Sequence, residues 1–126
     1  MSDYFIKGTM ETPEIELNSE EGILIIKGRS IPENSIEFYE PFIEALGKYV
    51  NNPSDQTKVD FRLEYFNTSS SKCILDILQL LQKLYVENGN VTIDWCYDED
   101  DEEIEEIGQD YSHMINVPFN IKVIAN

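Results

Sequence analysis

The chain has 126 residues, of which 41% are hydrophobic, and this suits one domain with one core better than two independent domains. Its 25 acidic residues against 9 basic ones give a formal net charge of −16. Such a surface repels phosphate backbones and anionic lipids, which argues against nucleic-acid binding and membrane attachment. A protein partner with a basic face is the ligand class that the charge favours.

Targeting and membrane signals are absent from the sequence pattern. No apolar run approaches the ~20 residues of a membrane-spanning helix. Residues 1–7 lack a basic region followed by a long apolar region, so we expect no signal peptide. The sequence therefore predicts a cytoplasmic protein without membrane insertion.

Hydrophobic periodicity predicts a hairpin followed by alternating helices and strands. In chain order the predicted elements begin with strands 4–6, 15–17 and 23–27 and a loop over 28–35. A helix capped by Asn34 or Ser35 follows, with an apolar stripe from Ile36 to Val50 and with Pro41 in or near its first turn. The remaining elements are strand 59–65, helix 72–86, strand 91–97, a helix opened by the acidic run within 98–107, and strand 118–124. Strands separated by helices imply crossover connections and a partly parallel sheet. The predicted fold is α/β, a single domain over residues 1–126 with helices packed against a mixed β-sheet.

Four consecutive hydroxyl side chains, Thr68, Ser69, Ser70 and Ser71, follow Asn67 between a predicted strand and the most strongly helical segment. The free N–H groups and the positive dipole end of a helix favour an anion at such a place. A hydroxyl there is either a plain helix cap or a phosphate acceptor whose product charge changes a binding surface. Four hydroxyls exceed what one cap requires, but the residues alone leave both interpretations open.

Residues that would support catalysis are sparse. The one histidine, His113, falls near the end of the predicted third helix, and no G-x-G-x-x-G or G-x-x-x-x-G-K-[ST] pattern occurs. Cys73 and Cys96 lie in predicted regular elements without C-x-x-C spacing, so we expect two core thiols in a reducing compartment. We expect a protein that is not an enzyme and holds no cofactor. A small enzyme using Cys73 or His113 is the alternative from another functional class.

The acidic run at residues 98–106 lacks the alternating ligands and the turn glycine of a calcium loop. Acidic residues that load the first turn of a helix explain it, and we expect no metal site. On the preceding strand, Trp95 is expected in the core, with Tyr97 on the same face and Cys96 on the other.

Several short stretches, taken in order, span nearly the whole chain. They are Gly8-Thr9 with residues 12–15, residues 32–34 with residues 37–39, residues 65–70, Asp76-Ile77, Trp95 with Tyr97-Asp98, and Pro118-Phe119. The Asn-Thr-Ser-Ser run is the most specific of them. Together these stretches resemble the SiaC family of bacterial regulatory phosphoproteins, a family similar in fold to the STAS-type anti-sigma-factor antagonists.

This resemblance implies a non-catalytic switch protein with one STAS-like domain and no cofactor. It implies that Thr68 is phosphorylated by a serine/threonine kinase of the anti-sigma-factor type and is dephosphorylated by a PP2C-like phosphatase. The unphosphorylated form would bind and activate a target enzyme, with a diguanylate cyclase of cyclic di-GMP signalling as the expected target. Binding would use Asn67, Thr68, Ser69 and Ser70, and phosphorylation would end it. An anti-sigma-factor antagonist that binds an anti-sigma kinase is the alternative.

Two features adjoining the shared motif bear on this expectation. Ser71 adds a further hydroxyl that could compete with Thr68 as the phosphate acceptor. Lys72 and Arg62 are the candidate counter-charges for a phosphate at the start of the helix.

Overall fold

The computed structural model describes residues 3–124, in which six strands and three helices form one α/β unit. Residues 1, 2, 125 and 126 lie outside the described part. The first two belong to residues 1–7, where no signal peptide is expected, and all four belong to the expected domain over residues 1–126. The elements are β1 (Tyr4–Ile6), β2 (Glu14–Asn18), β3 (Ile23–Ser30), α1 (Ser35–Asn51), β4 (Thr57–Phe66), α2 (Thr68–Asn88), β5 (Val91–Asp98), α3 (Glu102–Met114) and β6 (Phe119–Ile124).

The strands lie side by side in chain order, β1 to β6, so that every strand pairs with its neighbour in sequence. The first two pairings are antiparallel, and the three that follow are parallel. Each helix connects parallel neighbours, and all three crossovers advance in the same direction across the sheet. Right-handed crossovers therefore place α1, α2 and α3 on one face of the sheet. The expected mixed sheet with helices packed against it is confirmed.

Apolar side chains from neighbouring strands form rows under the helices. The register aligns Ile15, Ile26, Phe61 and Trp95 across β2 to β5, and each of them is at most 1% exposed. These side chains pack against buried residues of α1 and α2 in one core. Every second side chain of these strands therefore faces the helices and is buried, which accounts for the two-residue periodicity in the sequence.

The opposite face of the sheet carries polar side chains, because no described helix covers it. Its charges are paired between or along strands, through Lys27–Glu14 at 3.4 Å, Arg62–Asp60 at 3.0 Å and Lys122–Asp94 at 3.1 Å. Parallel strands buried on both faces read as continuous apolar runs. The alternating pattern of β4 follows from this one-sided burial.

Helix α1 begins after Asn34, whose Oδ1 accepts a hydrogen bond from the Glu37 backbone N–H at 3.0 Å. Of the two expected caps, Asn34 is therefore the correct one. Two expectations for this helix are wrong. Ile36 is 66% exposed and does not belong to the buried stripe. Pro41, which the sequence places in or near the first turn, is the seventh residue of α1 and is exposed, so the helix forgoes one hydrogen bond there.

A β-bulge near the end of β4 changes which side chains face the core. Gly28 of β3 aligns with Leu63, but the next residue of β3 aligns with Tyr65, so Glu64 is an extra residue. The alternation reverses after this point, and Phe66 becomes 8% exposed while Tyr65 is 46% exposed. The loop expected over residues 28–35 is wrong for residues 28–30, because β3 keeps pairing with β4 up to Ser30.

Helix α3 packs closely against Trp95, which is 1% exposed as expected for a core residue. The indole Nε1 donates a hydrogen bond to the Ile104 carbonyl oxygen at 2.9 Å. A Cβ at Gly108 would lie 2.4 Å from Trp95 Cδ1, so this close approach requires glycine. Asp101 caps α3, and the acidic run divides into a turn at residues 98–101 and the first turn of the helix.

Candidate functional site

The run of hydroxyl residues forms the first turn of α2. Asn67 is the N-cap, and its Oδ1 accepts a hydrogen bond from the Ser70 backbone N–H at 2.9 Å. The helix begins at Thr68, so the sequence prediction that it begins at Lys72 is wrong by one turn. Thr68 is helical and does not cap α2, which overturns the interpretation of Thr68 as a plain helix cap.

Beneath this turn lies a hydroxyl cluster, which consists of Ser30, Ser35, Tyr39, Ser69 and Ser70. Its Oγ and phenol oxygens are joined in a chain, with Tyr39–Ser30 at 2.6 Å, Ser30–Ser70 at 2.8 Å, Ser70–Ser35 at 3.2 Å and Ser35–Ser69 at 2.7 Å. Burial raises the pKa of Tyr39 to about 12, although the hydrogen bond with Ser30 opposes this. The cluster ties the end of β3 and the start of α1 to the start of α2.

The four consecutive hydroxyls differ in how the protein uses them. Ser70 is 0% exposed, and its Oγ donates to the Ser30 carbonyl oxygen at 3.1 Å. The Ser69 hydroxyl bonds Ser35, and the Ser71 hydroxyl donates to the Thr68 carbonyl oxygen at 2.6 Å. Thr68 is exposed, and its Oγ1 makes no hydrogen bond to any residue within 3–124. Of the four, Thr68 carries the unengaged hydroxyl.

Thr68 lines a groove of about 340 Å³ between the start of α2 and helix α3, here called the α2–α3 groove. One wall is uncharged and is formed by Tyr65, Phe66, Asn67, Thr68 and Ser71. The other wall belongs to α3 and combines acidic with apolar side chains, namely Glu103, Ile107, Asp110, Tyr111 and Met114. No lysine or arginine is among the described residues that line it.

A hydrogen bond connects the two walls. The Tyr111 hydroxyl donates to the Ser71 carbonyl oxygen at 2.9 Å, and burial raises the pKa of Tyr111 to about 12. Tyr111 therefore stays protonated as a donor and holds α3 against the first turn of α2.

The two expected counter-charges have different positions. Lys72 is exposed and lies four residues after Thr68, on the same side of α2. Arg62 lies on the open face of the sheet, where its Nε donates to Asp60 Oδ2 at 3.0 Å. Strand alternation directs Arg62 away from the helices, so its expected role is wrong.

The residues proposed for catalysis do not form a reactive group. Burial raises the pKa of Cys73, and it raises the pKa of Cys96 to about 11, with Asp60 adding to the shift. A raised thiol pKa leaves less of the nucleophilic thiolate. Both cysteines are buried and free, as the sequence predicted. His113 is exposed in the last turn of α3, and its imidazole makes no hydrogen bond or ion pair within residues 3–124.

The described part of the chain offers neither a cluster of metal ligands nor a helix that could span a membrane. Within residues 3–124 no three His, Cys, Asp or Glu side chains come together as metal ligands. None of the helices in that range combines the length and the apolar character needed to cross a membrane.

The comparisons with known proteins cover nearly the whole chain. The SiaC family regulatory phosphoproteins match residues 6–124. The chain belongs to the SiaC family. An uncharacterised protein of Pseudomonas aeruginosa (strain UCBPP-PA14) is 34% identical over 122 residues, which are 97% of each chain. The resemblance inferred from short stretches of sequence is confirmed.

Solved structures of the SiaC family share this fold. SiaC of Pseudomonas aeruginosa is 33% identical, with a TM-score of 0.89 over 98% of this chain and 100% of that one. A chain in the crystal structure of the diguanylate cyclase SiaD in complex with its activator SiaC, from the same organism, is 32% identical with a TM-score of 0.89. That match covers 97% of this chain and 100% of the other. The predicted α/β fold class is confirmed.

Sequence reasoning found the α2 side of the groove and missed the α3 side. Glu103, Ile107, Asp110 and Met114 recur at intervals of three and four residues, which places them on one helix face. This spacing was visible in the sequence. The distance between that face and Thr68 depends on tertiary packing around Trp95 and Tyr111.

Proposed function

We propose that this chain is a non-catalytic switch protein that binds and activates a diguanylate cyclase while Thr68 is unmodified and releases it when Thr68 is phosphorylated. Membership of a family of regulatory phosphoproteins supports the regulatory role. Similarity to the SiaC chain bound to the diguanylate cyclase SiaD supports the nature of the target. The observation that carries the proposal is the exposed, unengaged hydroxyl of Thr68 at the rim of a groove.

The structure supports Thr68 over its three neighbours as the acceptor. Phosphorylating Ser70 would require breaking the buried hydroxyl cluster. The Ser69 and Ser71 hydroxyls are held by Ser35 and by the Thr68 carbonyl oxygen. Thr68 Oγ1 can enter the active site of a kinase without losing a hydrogen bond within the described chain. Ser71 is therefore the weaker competitor in this proposal.

Phosphorylation would act through charge on the uncharged wall of the groove. A phosphate adds about −1.5 to −2 charges at pH 7. If a partner covers that wall, an unpaired phosphate must be desolvated, which costs several kcal/mol and weakens binding by about 100-fold or more. Asn67 and the hydroxyl cluster continue to hold the first turn of α2, so release requires no refolding of the domain.

The circuit requires two further proteins. A serine/threonine kinase of the anti-sigma-factor type transfers the γ-phosphoryl group of ATP to Thr68 Oγ1. The bond between the β- and γ-phosphates breaks, ADP leaves, and the hydroxyl proton passes to a base of the kinase or to water. A PP2C-like, metal-dependent phosphatase hydrolyses the ester and restores the hydroxyl. The metal belongs to the phosphatase, and the switch protein itself contributes no cofactor. All partners act in the cytoplasm.

The proposal is tested by three variants of the acceptor region. Tagged Thr68→Ala protein is used to capture the cyclase from the protein's own cells, and the purified cyclase is then titrated with Thr68→Ala, Thr68→Glu and Ser71→Ala. We expect Thr68→Ala and Ser71→Ala to bind and to accelerate GTP conversion, and Thr68→Glu to bind about 100-fold more weakly. Equal binding by all three variants would contradict the switch, and recovery of an anti-sigma kinase without a cyclase would favour the antagonist alternative.

The modification itself is tested on the native protein. Mass spectrometry of protein from growing and starved cells should find phosphate on Thr68, with an occupancy that differs between the two states. A well-covered peptide that carries phosphate on Ser71 and none on Thr68 would transfer the acceptor role to Ser71.

A further inference from the structure

We infer that the α2–α3 groove receives a two-sided segment of the target cyclase, with an apolar side against the uncharged wall and lysine or arginine side chains against the α3 wall. This inference rests on the proposed function, since it concerns how the same target is held. It assigns the binding surface to α3 and β4 as well as to the residues around Thr68.

The uncharged wall presents an aromatic anchor that the β-bulge creates. If β4 passed through Glu64 in regular register without a bulge, strand alternation would direct Tyr65 toward the core and Phe66 outward. The bulge leaves Tyr65 46% exposed, and Tyr65 lines the same groove as Thr68. On the α3 wall Met114 is 61% exposed, and Ile107 adds a further apolar side chain to the lining. Exposed aromatic and methionine side chains around a concavity are typical anchors of protein interfaces.

The acidic residues of the α3 wall indicate which charge the partner segment carries. Asp110 and Glu103 both line the groove, and α3 carries further acidic residues in its first turn. No basic described residue lines the groove to neutralise them. A segment with lysine or arginine on one side complements this wall, and complementary charge also sets the orientation in which the segment binds.

The separation of the two walls explains how added negative charge can release a basic partner. A phosphate on Thr68 adds charge to the wall that takes the apolar side of the segment. There it meets no cation of the partner, because the basic side chains of the segment face α3. The attraction between the segment and Asp110 is unchanged, but the apolar side can no longer be desolvated against the wall.

A second copy of this chain is a poor occupant of the groove. Each copy carries a net charge of −16, so two copies would bring like charges together. A basic segment of another protein lowers that charge density. The charge therefore favours a hetero-complex at this surface.

The test compares groove variants with matched variants at the far end of α2. Tyr65→Ala and Met114→Ala remove apolar contact, and Val86→Ala, at a residue 71% exposed near the end of α2, is their control. Asp110→Lys reverses a charge on the α3 wall, and Glu87→Lys makes the same change of charge away from the groove. The captured cyclase is titrated first with the unmodified wild type and then with each variant, at several salt concentrations.

We expect each apolar variant to weaken cyclase binding about tenfold or more and to keep the salt dependence of the wild type. Asp110→Lys should weaken binding and also reduce its salt dependence, because an attraction that salt screens has been removed. Both controls should bind as the wild type does. Urea unfolding of every variant identifies any loss caused by misfolding, and the five positions are exposed.

The outcomes separate this inference from the proposed function. If the cyclase binds the wild type and all three groove variants equally, the docking surface is wrong while the switch proposal stands. If Asp110→Lys changes the mass of the isolated protein in light scattering but leaves cyclase binding unchanged, the groove joins two copies and the inference is overturned. If no cyclase binds the unmodified protein, the proposed function itself fails first.

Discussion

The hydroxyl oxygens of Ser35 and Ser69 lie 2.7 Å apart, which joins the first turn of α1 to the first turn of α2. The Ser35 hydroxyl also lies 3.2 Å from Ser70 Oγ, so one buried side chain contacts two consecutive residues of the acceptor turn. The position of Thr68 relative to the sheet is therefore set by α1 as well as by its own helix. A helix that lies away from the groove supports the geometry of the site.

We expect Ser70→Ala to lower the free energy of unfolding by about 1–3 kcal/mol, because it removes the buried hydrogen bonds that Ser70 Oγ makes with Ser30 Oγ, Ser35 Oγ and the Ser30 carbonyl oxygen. Urea unfolding measures the change. Ser112→Ala is the matched control, since Ser112 Oγ also bonds a backbone carbonyl oxygen, of Gln109, but in an exposed setting. An equal effect of the two substitutions would show that the buried cluster adds nothing to stability.

Asn67 and Thr68, at the start of α2, should differ in how much each contributes to stability. Asn67→Ala removes the side-chain acceptor of the Ser70 N–H and should lower the free energy of unfolding by ~1 kcal/mol. Thr68→Ala removes no hydrogen bond and should stay within about 0.5 kcal/mol of the wild type. Thermal or urea unfolding of the two single variants measures both changes in stability. If Thr68→Ala were the more destabilised of the two, Thr68 would be the structural residue and its use as a switch would be doubtful.

The middle of each element could be predicted from the sequence, whereas several ends could not. The side chains at helical spacing in α2 are all 0% exposed, namely Ile74, Ile77, Leu78 and Leu81. Their periodicity therefore identifies this element as a helix. Its start was placed one turn too late, because serine and threonine are weak helix formers in the interior. The Asn67 cap outweighs that weak propensity in the folded chain.

The candidate site could be predicted only in the part that is local in sequence. The run from Asn67 to Ser70 is contiguous and could be recognised directly. Within the hydroxyl cluster, the bonded pairs Ser30–Ser70, Ser35–Ser69 and Ser35–Ser70 are separated in sequence by 40, 34 and 35 positions. Only tertiary packing at the start of α1 and α2 brings these residues together. The exposure of Tyr65 depends on a one-residue bulge, and a strict alternation pattern cannot reveal such an insertion.

The contact between Gly108 and Trp95 gives an expectation about α3. Gly108→Ala would place a Cβ 2.4 Å from Trp95 Cδ1, so α3 must shift, and we expect a loss of about 1–3 kcal/mol of stability. Gly47→Ala is the matched control, because a Cβ there meets nothing within 4 Å and the residue lies inside α1. That substitution should stabilise the protein by about 0.4–1 kcal/mol. Opposite signs in urea unfolding are the expected result, and a neutral Gly108→Ala would contradict the close packing of α3.

The carboxylate of Asp94 makes stability depend on pH in the acidic range. Asp94 is 8% exposed on the open face of the sheet and accepts hydrogen bonds from Asn120 Nδ2 and Lys122 Nζ, each at 3.1 Å. Burial by itself would raise the pKa of Asp94, but these two hydrogen bonds and the Lys122 charge outweigh it and lower the pKa below 3.8. A carboxylate whose pKa is lower in the folded state contributes stability above its unfolded pKa. That contribution is lost as the pH falls through the folded value.

We therefore expect Asp94→Asn to be less stable than the wild type at pH 7, with a difference that shrinks as the pH falls from about 5 toward 2. Urea midpoints of both proteins across that range measure the difference. Glu87→Gln, which neutralises an exposed carboxylate near the end of α2, is the matched control and should show no such convergence. A constant gap between Asp94→Asn and the wild type at all pH values would mean that the Asp94 charge contributes nothing. The loss would then come from hydrogen-bond geometry, which protonation of the carboxylate does not abolish.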